Sequence, residues 1–193
     1  MCSTAAAGCA GRDVADHVSD VSTGPVPIAP SAVSWRSWQG IELPVAAQGP
    51  RLIEGAVAAD FDRSPAGAAL AAIHATVRMS VAPDRQWALV GQRMLAPGPG
   101  RDKWATARAQ VSITEPATST APHILGYVIA AYADTEARIE TYSTYPDRSI
   151  TRNIATVVWS ADGWRLHLPE VVTENPVAAV DSAPFALVIL NRP

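Results

Sequence analysis

The chain has 193 residues, of which 48% are hydrophobic and 17% charged, and its formal net charge is −3. This length suffices for one domain with a buried core, and the hydrophobic fraction is too high for a chain disordered throughout. The small negative charge and the evenly spread arginines argue against a nucleic-acid-binding protein. No stretch approaches the roughly 20 apolar residues that span a bilayer.

Residues 1–34 are predicted to form a flexible tether, because they are small, polar, punctuated by proline and free of aromatic side chains. Such a segment cannot bury enough apolar surface to offset its ordering entropy. Cys2, followed by small and polar residues, resembles the lipid-modified cysteine at the start of an envelope lipoprotein. This predicts a location on the outer face of the cell membrane, with a lipid on Cys2 as the only membrane attachment. The alternative is an ordinary N-terminus and a cytoplasmic protein.

Three helices are predicted before residue 110. Ser64 and Pro65 form a good helix start, with a serine cap and a proline at the first helical position, and residues 66–79 continue it with one apolar face. Asp84 is expected to cap the second helix. The third follows the break at residues 97–100.

Antiparallel strands are predicted after residue 110. The nearly unbroken apolar run at 124–132 suggests a strand buried on both faces. Further strands are expected at 138–145 and 151–159. Asp162 and Gly163 form a favoured hairpin turn to a return strand at 164–168. Helices followed by antiparallel strands predict a single α+β domain over residues 35–193, with helices packed on one face of a curved antiparallel sheet.

The chain ends in a second apolar run, residues 185–190, which is too hydrophobic to remain an exposed sheet edge. It is expected either to complete the protein's own sheet or to pair with a partner. The sequence leaves both possibilities open.

The sequence contains no recognisable catalytic or metal-binding motif. The four histidines have no metal-ligand spacing, no nucleophile elbow is present, and the two cysteines, Cys2 and Cys9, both precede the predicted domain. His74 falls on the first predicted helix and is interpreted as structural. We therefore expect no metal, no cofactor and no enzymatic activity.

Residues 35–168 resemble an uncharacterised actinobacterial domain family associated with integrative and conjugative elements. The resemblance is carried by WQGIELP at 38–44, GP at 49–50, SPAGAALAA at 64–72 and PGPGR at 97–101. The closing segment at 158–166, VWSADGWRL, is similar to the last hairpin of the nuclear transport factor/cystatin-like cone fold. That fold includes periplasmic-type components of conjugative type IV secretion.

This resemblance implies a cone-shaped α+β domain and a non-enzymatic accessory or assembly role in the transfer machinery of an actinobacterial mobile element. Such a component would act by contact with protein partners or by self-association. The alternative is a small-ligand-binding protein or enzyme that uses the interior of the cone. Tyr127, Tyr142 and His167 are the candidate lining residues for that alternative.

Overall fold

A computed structural model describes residue 1 and residues 28–117, 121–160 and 162–192 of the chain. This part of the chain has an α+β fold with three helices and ten strands. The α+β class and the three helices before residue 110 agree with the prediction from the sequence. Two small hairpins come first, the helices follow, and the main sheet comes last. The predicted tether before residue 28, including Cys2 and apart from Met1, lies outside the described residues.

The first hairpin joins β1 (Ser34–Trp38) and β2 (Ile41–Val45), and the second joins β3 (Leu52–Glu54) and β4 (Val57–Ala59). Both central residues of the first turn, Gln39 and Gly40, have positive φ angles of 50° and 76°. That is the geometry of a two-residue hairpin turn, although glutamine is not one of its usual residues. A Cβ at position 40 would lie 2.4 Å from the carbonyl oxygen of Ala117, so glycine is required there.

The helices are α1 (Pro65–Val81), α2 (Trp87–Arg93) and α3 (Pro99–Arg108). The predicted start of α1 is confirmed, because the Ser64 hydroxyl accepts a hydrogen bond from the Gly67 amide at 3.1 Å. Most of α1 is buried, and its alanines allow it to lie close to the main sheet on one side and to the hairpins on the other.

The predicted cap of α2 is wrong. The helix begins after Gln86 without a side-chain cap. The Asp84 carboxylate instead accepts hydrogen bonds from Arg108, from the Ser112 hydroxyl and from the Ile113 amide. These tertiary donors lower the pKa of Asp84, chiefly through the Ile113 amide, and they outcompete the local capping geometry.

The main sheet is antiparallel and has the order β10-β5-β6-β7-β8. Its strands are β5 (His123–Ala133), β6 (Glu136–Thr144), β7 (Ile150–Ser160), β8 (Gly163–His167), β9 (Val177–Val180) and β10 (Val188–Ile189). Strand β9 also pairs with β7, alongside the first part of β7, whereas β8 pairs with its last part. The hairpin between β7 and β8 at Gly163 confirms the predicted turn.

The two faces of the sheet differ. On the inner face Ile139, Val157 and Leu166 are buried beneath α1. In the described part of the chain the helices pack against that face. Ala130 and Ala131 in the second half of β5 are exposed, so the prediction that this strand is buried on both faces is wrong.

Candidate interaction surface

The three candidate lining residues lie in separate places. Tyr127 is on the inner face, fully buried, and its hydroxyl donates to the carbonyl oxygen of Ile28 at 2.6 Å. This burial raises the pKa of Tyr127 well above its usual value. The Tyr127 hydroxyl is therefore used to hold the segment that leads into the first hairpin.

Tyr142 lies on the outer face, because Tyr127 is opposite Thr141 and neighbouring residues of a strand point to opposite sides. Its hydroxyl donates to a carboxylate oxygen of Glu140 at 2.7 Å. Burial, followed by this hydrogen bond, raises the pKa of Tyr142 to about 12. His167 is exposed at the end of β8. The structure does not bring the three side chains together.

A buried polar pair, His74 and Arg78, joins α1 to both hairpins. His74 Nε2 donates to the carbonyl oxygen of Pro44 at 2.8 Å, and its Nδ1 accepts from Arg78 Nε at 3.3 Å. Arg78 also donates to the carbonyl oxygen of Gly55 and stacks on Trp38, with the guanidinium carbon 4.7 Å from the ring centroid.

Burial lowers the pKa of His74 to about 3 and that of Arg78 to about 10. His74 is therefore neutral near pH 7. The internal hydrogen bonds of the pair support a structural role, in agreement with the interpretation of His74 from the sequence.

The charged groups at the start of α3 are paired within the protein. Arg101 pairs with Asp102 at 2.9 Å, and Lys103 reaches Glu170 at 3.7 Å. Across the described ranges, no group of three or more histidine, cysteine, aspartate or glutamate side chains has the arrangement of a metal site.

The C-terminal apolar run is divided between the fold and the solvent. Val188 and Ile189 form β10, opposite Tyr127 and Gly126 of β5, and Leu190 is buried. In contrast, Phe185 is fully exposed at the tip of a turn closed by the Leu187 amide and the Pro184 carbonyl oxygen. Ile189 is 65% exposed. Part of the run thus completes the sheet, and part of it faces solvent.

Gly126 determines how closely β10 approaches β5. A Cβ at this position would lie 2.2 Å from the carbonyl oxygen of Val188 and 3.0 Å from its carbonyl carbon, both rigid backbone atoms. Only glycine leaves room for this contact. The backbone hydrogen bond from Leu190 N to Leu125 O, 2.9 Å long, continues the pairing beyond β10.

A recess of about 360 Å³ lies between the start of β5 and the residues that follow β10. Its lining comprises His123, Ile124, Leu125, Ile189, Leu190, Asn191 and Arg192. The Arg192 guanidinium stacks on Trp35 at 4.7 Å and lies 3.2 Å from His123 Nδ1, and Trp35 Nε1 donates to the carbonyl oxygen of Asn191 at 3.1 Å. The recess therefore has an apolar floor and a cationic, aromatic rim.

We call β10, the exposed Phe185 and this recess the C-terminal edge. The sequence indicated its apolar run. It gave no local signal for Trp35, His123 and Arg192, because they meet only through the pairing of β10 with β5.

A family model described as a domain of unknown function, DUF8175, matches residues 3–184. The chain belongs to this family. In the DUF8175 chain the match includes both hairpins, the helices and strands β5–β9, and it ends immediately before Phe185. Comparison with curated proteins and with solved structures gave no match. None of the helices described in this DUF8175 chain is long and apolar enough to cross a membrane.

Proposed function

We propose that the chain is a non-enzymatic component that acts by protein–protein contact through its C-terminal edge. The observation that carries this proposal is the full exposure of Phe185 beside the terminal strand of the main sheet. A large aromatic side chain next to an edge strand combines the two features by which sheets recruit partners: apolar area and backbone groups available for pairing.

The neighbouring contacts support this proposal. Ile189 presents further apolar surface, and Arg192, held by Trp35, adds a positive charge at the rim of the recess. Protein interfaces combine apolar anchors of this kind with a polar rim, and aromatic residues and arginine are enriched among their energetically important positions.

The setting that we propose follows from the resemblance described above: an accessory or assembly role in the conjugative transfer machinery of an actinobacterial mobile element, of the type IV secretion kind. The corresponding fold would be the nuclear transport factor/cystatin-like cone, and packing of α1 against β6, β7 and β8 is compatible with it. In this proposal Cys2 carries a lipid at the outer face of the membrane. Radiolabelled fatty acid incorporation, lost in Cys2→Ser, tests the anchor, and cell fractionation distinguishes it from a cytoplasmic location.

The functional test measures conjugative transfer in cells whose element encodes substituted forms of this protein. Phe185→Asp is expected to lower the transfer frequency strongly, because it replaces the exposed aromatic anchor of the contact by a charge. Val171→Asp is the matched control, since Val171 is also exposed, at 66%, but lies before β9. Transfer that is unchanged by Phe185→Asp, at parental protein levels, would refute the proposed role of the edge.

The alternative, a small-ligand-binding protein or an enzyme that uses the interior of a cone, makes the opposite prediction. It requires a residue such as His167 for activity, although His167 is exposed and lies on the far side of β7 from Tyr142. If His167→Ala or Tyr142→Phe abolished transfer without unfolding the domain, this alternative would replace our proposal.

A further inference from the structure

We infer that the C-terminal edge binds a second copy of this chain: two β10 strands pair antiparallel, and each Phe185 occupies the recess of the other copy. This inference rests on the proposed function, because it identifies the partner of the same surface. It is carried by the spacing of three features along residues 185–192: a projecting aromatic side chain, a strand that pairs on one side only among the described residues, and a recess.

The spacing fits two-fold symmetry. Residues directly opposite each other in antiparallel strands point to the same face of the sheet, so a two-fold axis must place one residue opposite its own copy. An axis at Val188 meets this condition. The same axis sets Ala186 opposite Leu190 and Phe185 opposite Asn191. Phe185 would therefore meet the recess, which is lined by residues 189–192 on the C-terminal side of β10. An isologous interface needs a surface that is complementary to itself, and this edge has the projection and the recess on opposite sides of its centre.

The chemistry of the two features matches. The floor of the recess is formed by Ile124, Leu125 and Leu190, and its volume of about 360 Å³ can hold an aromatic ring. At the rim, the Arg192 guanidinium stacks on Trp35, and the Phe185 ring of the other copy could contact the same guanidinium from across the interface. The exposed Ile189 of each copy would lie near the axis and lose its contact with water.

The strength of this association should be modest. Strand β10 has only two residues, so few backbone hydrogen bonds can form between copies and the side chains must supply most of the affinity. We expect a dissociation constant between about 1 µM and 1 mM, the range of weak and transient interfaces.

Analytical ultracentrifugation of the full chain over a range of concentrations tests the inference. The parent should form a concentration-dependent dimer. Phe185→Asp should weaken dimerisation by at least about 100-fold, because each dimer loses two anchors. Val171→Asp should dimerise as the parent does. Circular dichroism should show the parental fold for both variants, since both side chains are exposed.

Cysteine cross-linking tests the register. In a background with Cys2→Ser and Cys9→Ser, the single variant Val188→Cys should give a disulfide-linked dimer under mild oxidation, because the axis places residue 188 opposite its own copy. His167→Cys in the same background is the control and should remain monomeric, because His167 is remote from the proposed axis. A dimer that does not cross-link at position 188, or that survives Phe185→Asp, would overturn the proposed arrangement.

The outcomes separate this inference from the proposed function. If the parent is monomeric at about 1 mM chain, where even a weak dimer would be populated, self-association is refuted. Loss of transfer in Phe185→Asp would then still support an edge that binds a different protein. If dimerisation behaves as expected and transfer is unaffected by Phe185→Asp, the dimer is supported and the proposed function is refuted.

Discussion

Substitution of Gly126 by alanine should detach β10 from the sheet. The new methyl group would lie 2.2 Å from the Val188 carbonyl oxygen, and both atoms belong to paired strands, so no side chain can move aside. Separation of the strands exposes Leu190 and breaks the hydrogen bond from Leu190 N to Leu125 O. Full burial of a leucine stabilises by about 1.5–3 kcal/mol, and one such bond adds about 0.5–1.5 kcal/mol. We therefore expect a loss of about 2–4.5 kcal/mol.

Two measurements check this expectation. Urea unfolding followed by tryptophan fluorescence gives the free energy of unfolding, and hydrogen exchange gives the protection of the Leu190 amide. That protection should fall, whereas the amide of Ile139, in the buried centre of β6, should be the last to change. Ala131→Val, which adds volume on the exposed half of β5, is the control and should alter neither quantity. Parental stability together with full protection of Leu190 in Gly126→Ala would refute the reasoning.

Two further predictions concern the core. Trp164→Ala should lower the free energy of unfolding, measured with a chemical denaturant, by about 3–5 kcal/mol. The reason is that Trp164 is 6% exposed, packs edge-on against Trp159 and donates a hydrogen bond to the Asp62 carbonyl oxygen at 2.9 Å. A parental free energy of unfolding would contradict its burial. His74 should make the fold acid-sensitive. Its folded pKa of about 3 lies below the ordinary value of 6.5, so the unfolded chain takes up the proton first and stability falls between pH 6.5 and about 3. In this range His74 contributes about 1.4 kcal/mol per pH unit to the change in the free energy of unfolding. The free energy of unfolding of His74→Gln should therefore depend less steeply on pH. An unchanged slope would contradict this assignment.

Features encoded by adjacent residues were predictable from the sequence. The Ser64 cap of α1 and the turn at Gly163 each depend on a short-range backbone geometry that the local residues favour. The two N-terminal hairpins and β9 were not predicted. Their strands have three to five residues, too few for a clear alternation, and the first turn contains Gln39 where asparagine or aspartate is usual.

The positions of the candidate side chains depend on strand register, which the sequence does not display. Strand β5 has irregularities in its pairing with β6 between Ile124 and Gly126 and between Ile129 and Ala131. Each one shifts the alternation of inner and outer residues, so counting along the strand cannot assign a face. Tyr127 lies between these two irregularities, so its place on the inner face could not be counted from either end of β5, whereas Tyr142 lies on the outer face of the regular strand β6.

The two edge strands of the main sheet, β8 and β10, differ in how they are covered, and this difference favours β10 as the contact surface. At the other end, β8 is covered by the segment around Leu95: Leu166 N donates to the Met94 carbonyl oxygen at 2.9 Å, and Ala96 N donates to the Leu166 carbonyl oxygen at 2.8 Å. At β10, in the part of the chain that the structure describes, no further strand follows, and the adjacent turn exposes Phe185 completely. Proteins commonly shield a sheet edge by a covering segment, by charge or by shortness. The end at β10 is short, yet it carries an aromatic side chain that shielding alone would not require, and a role in binding accounts for that side chain.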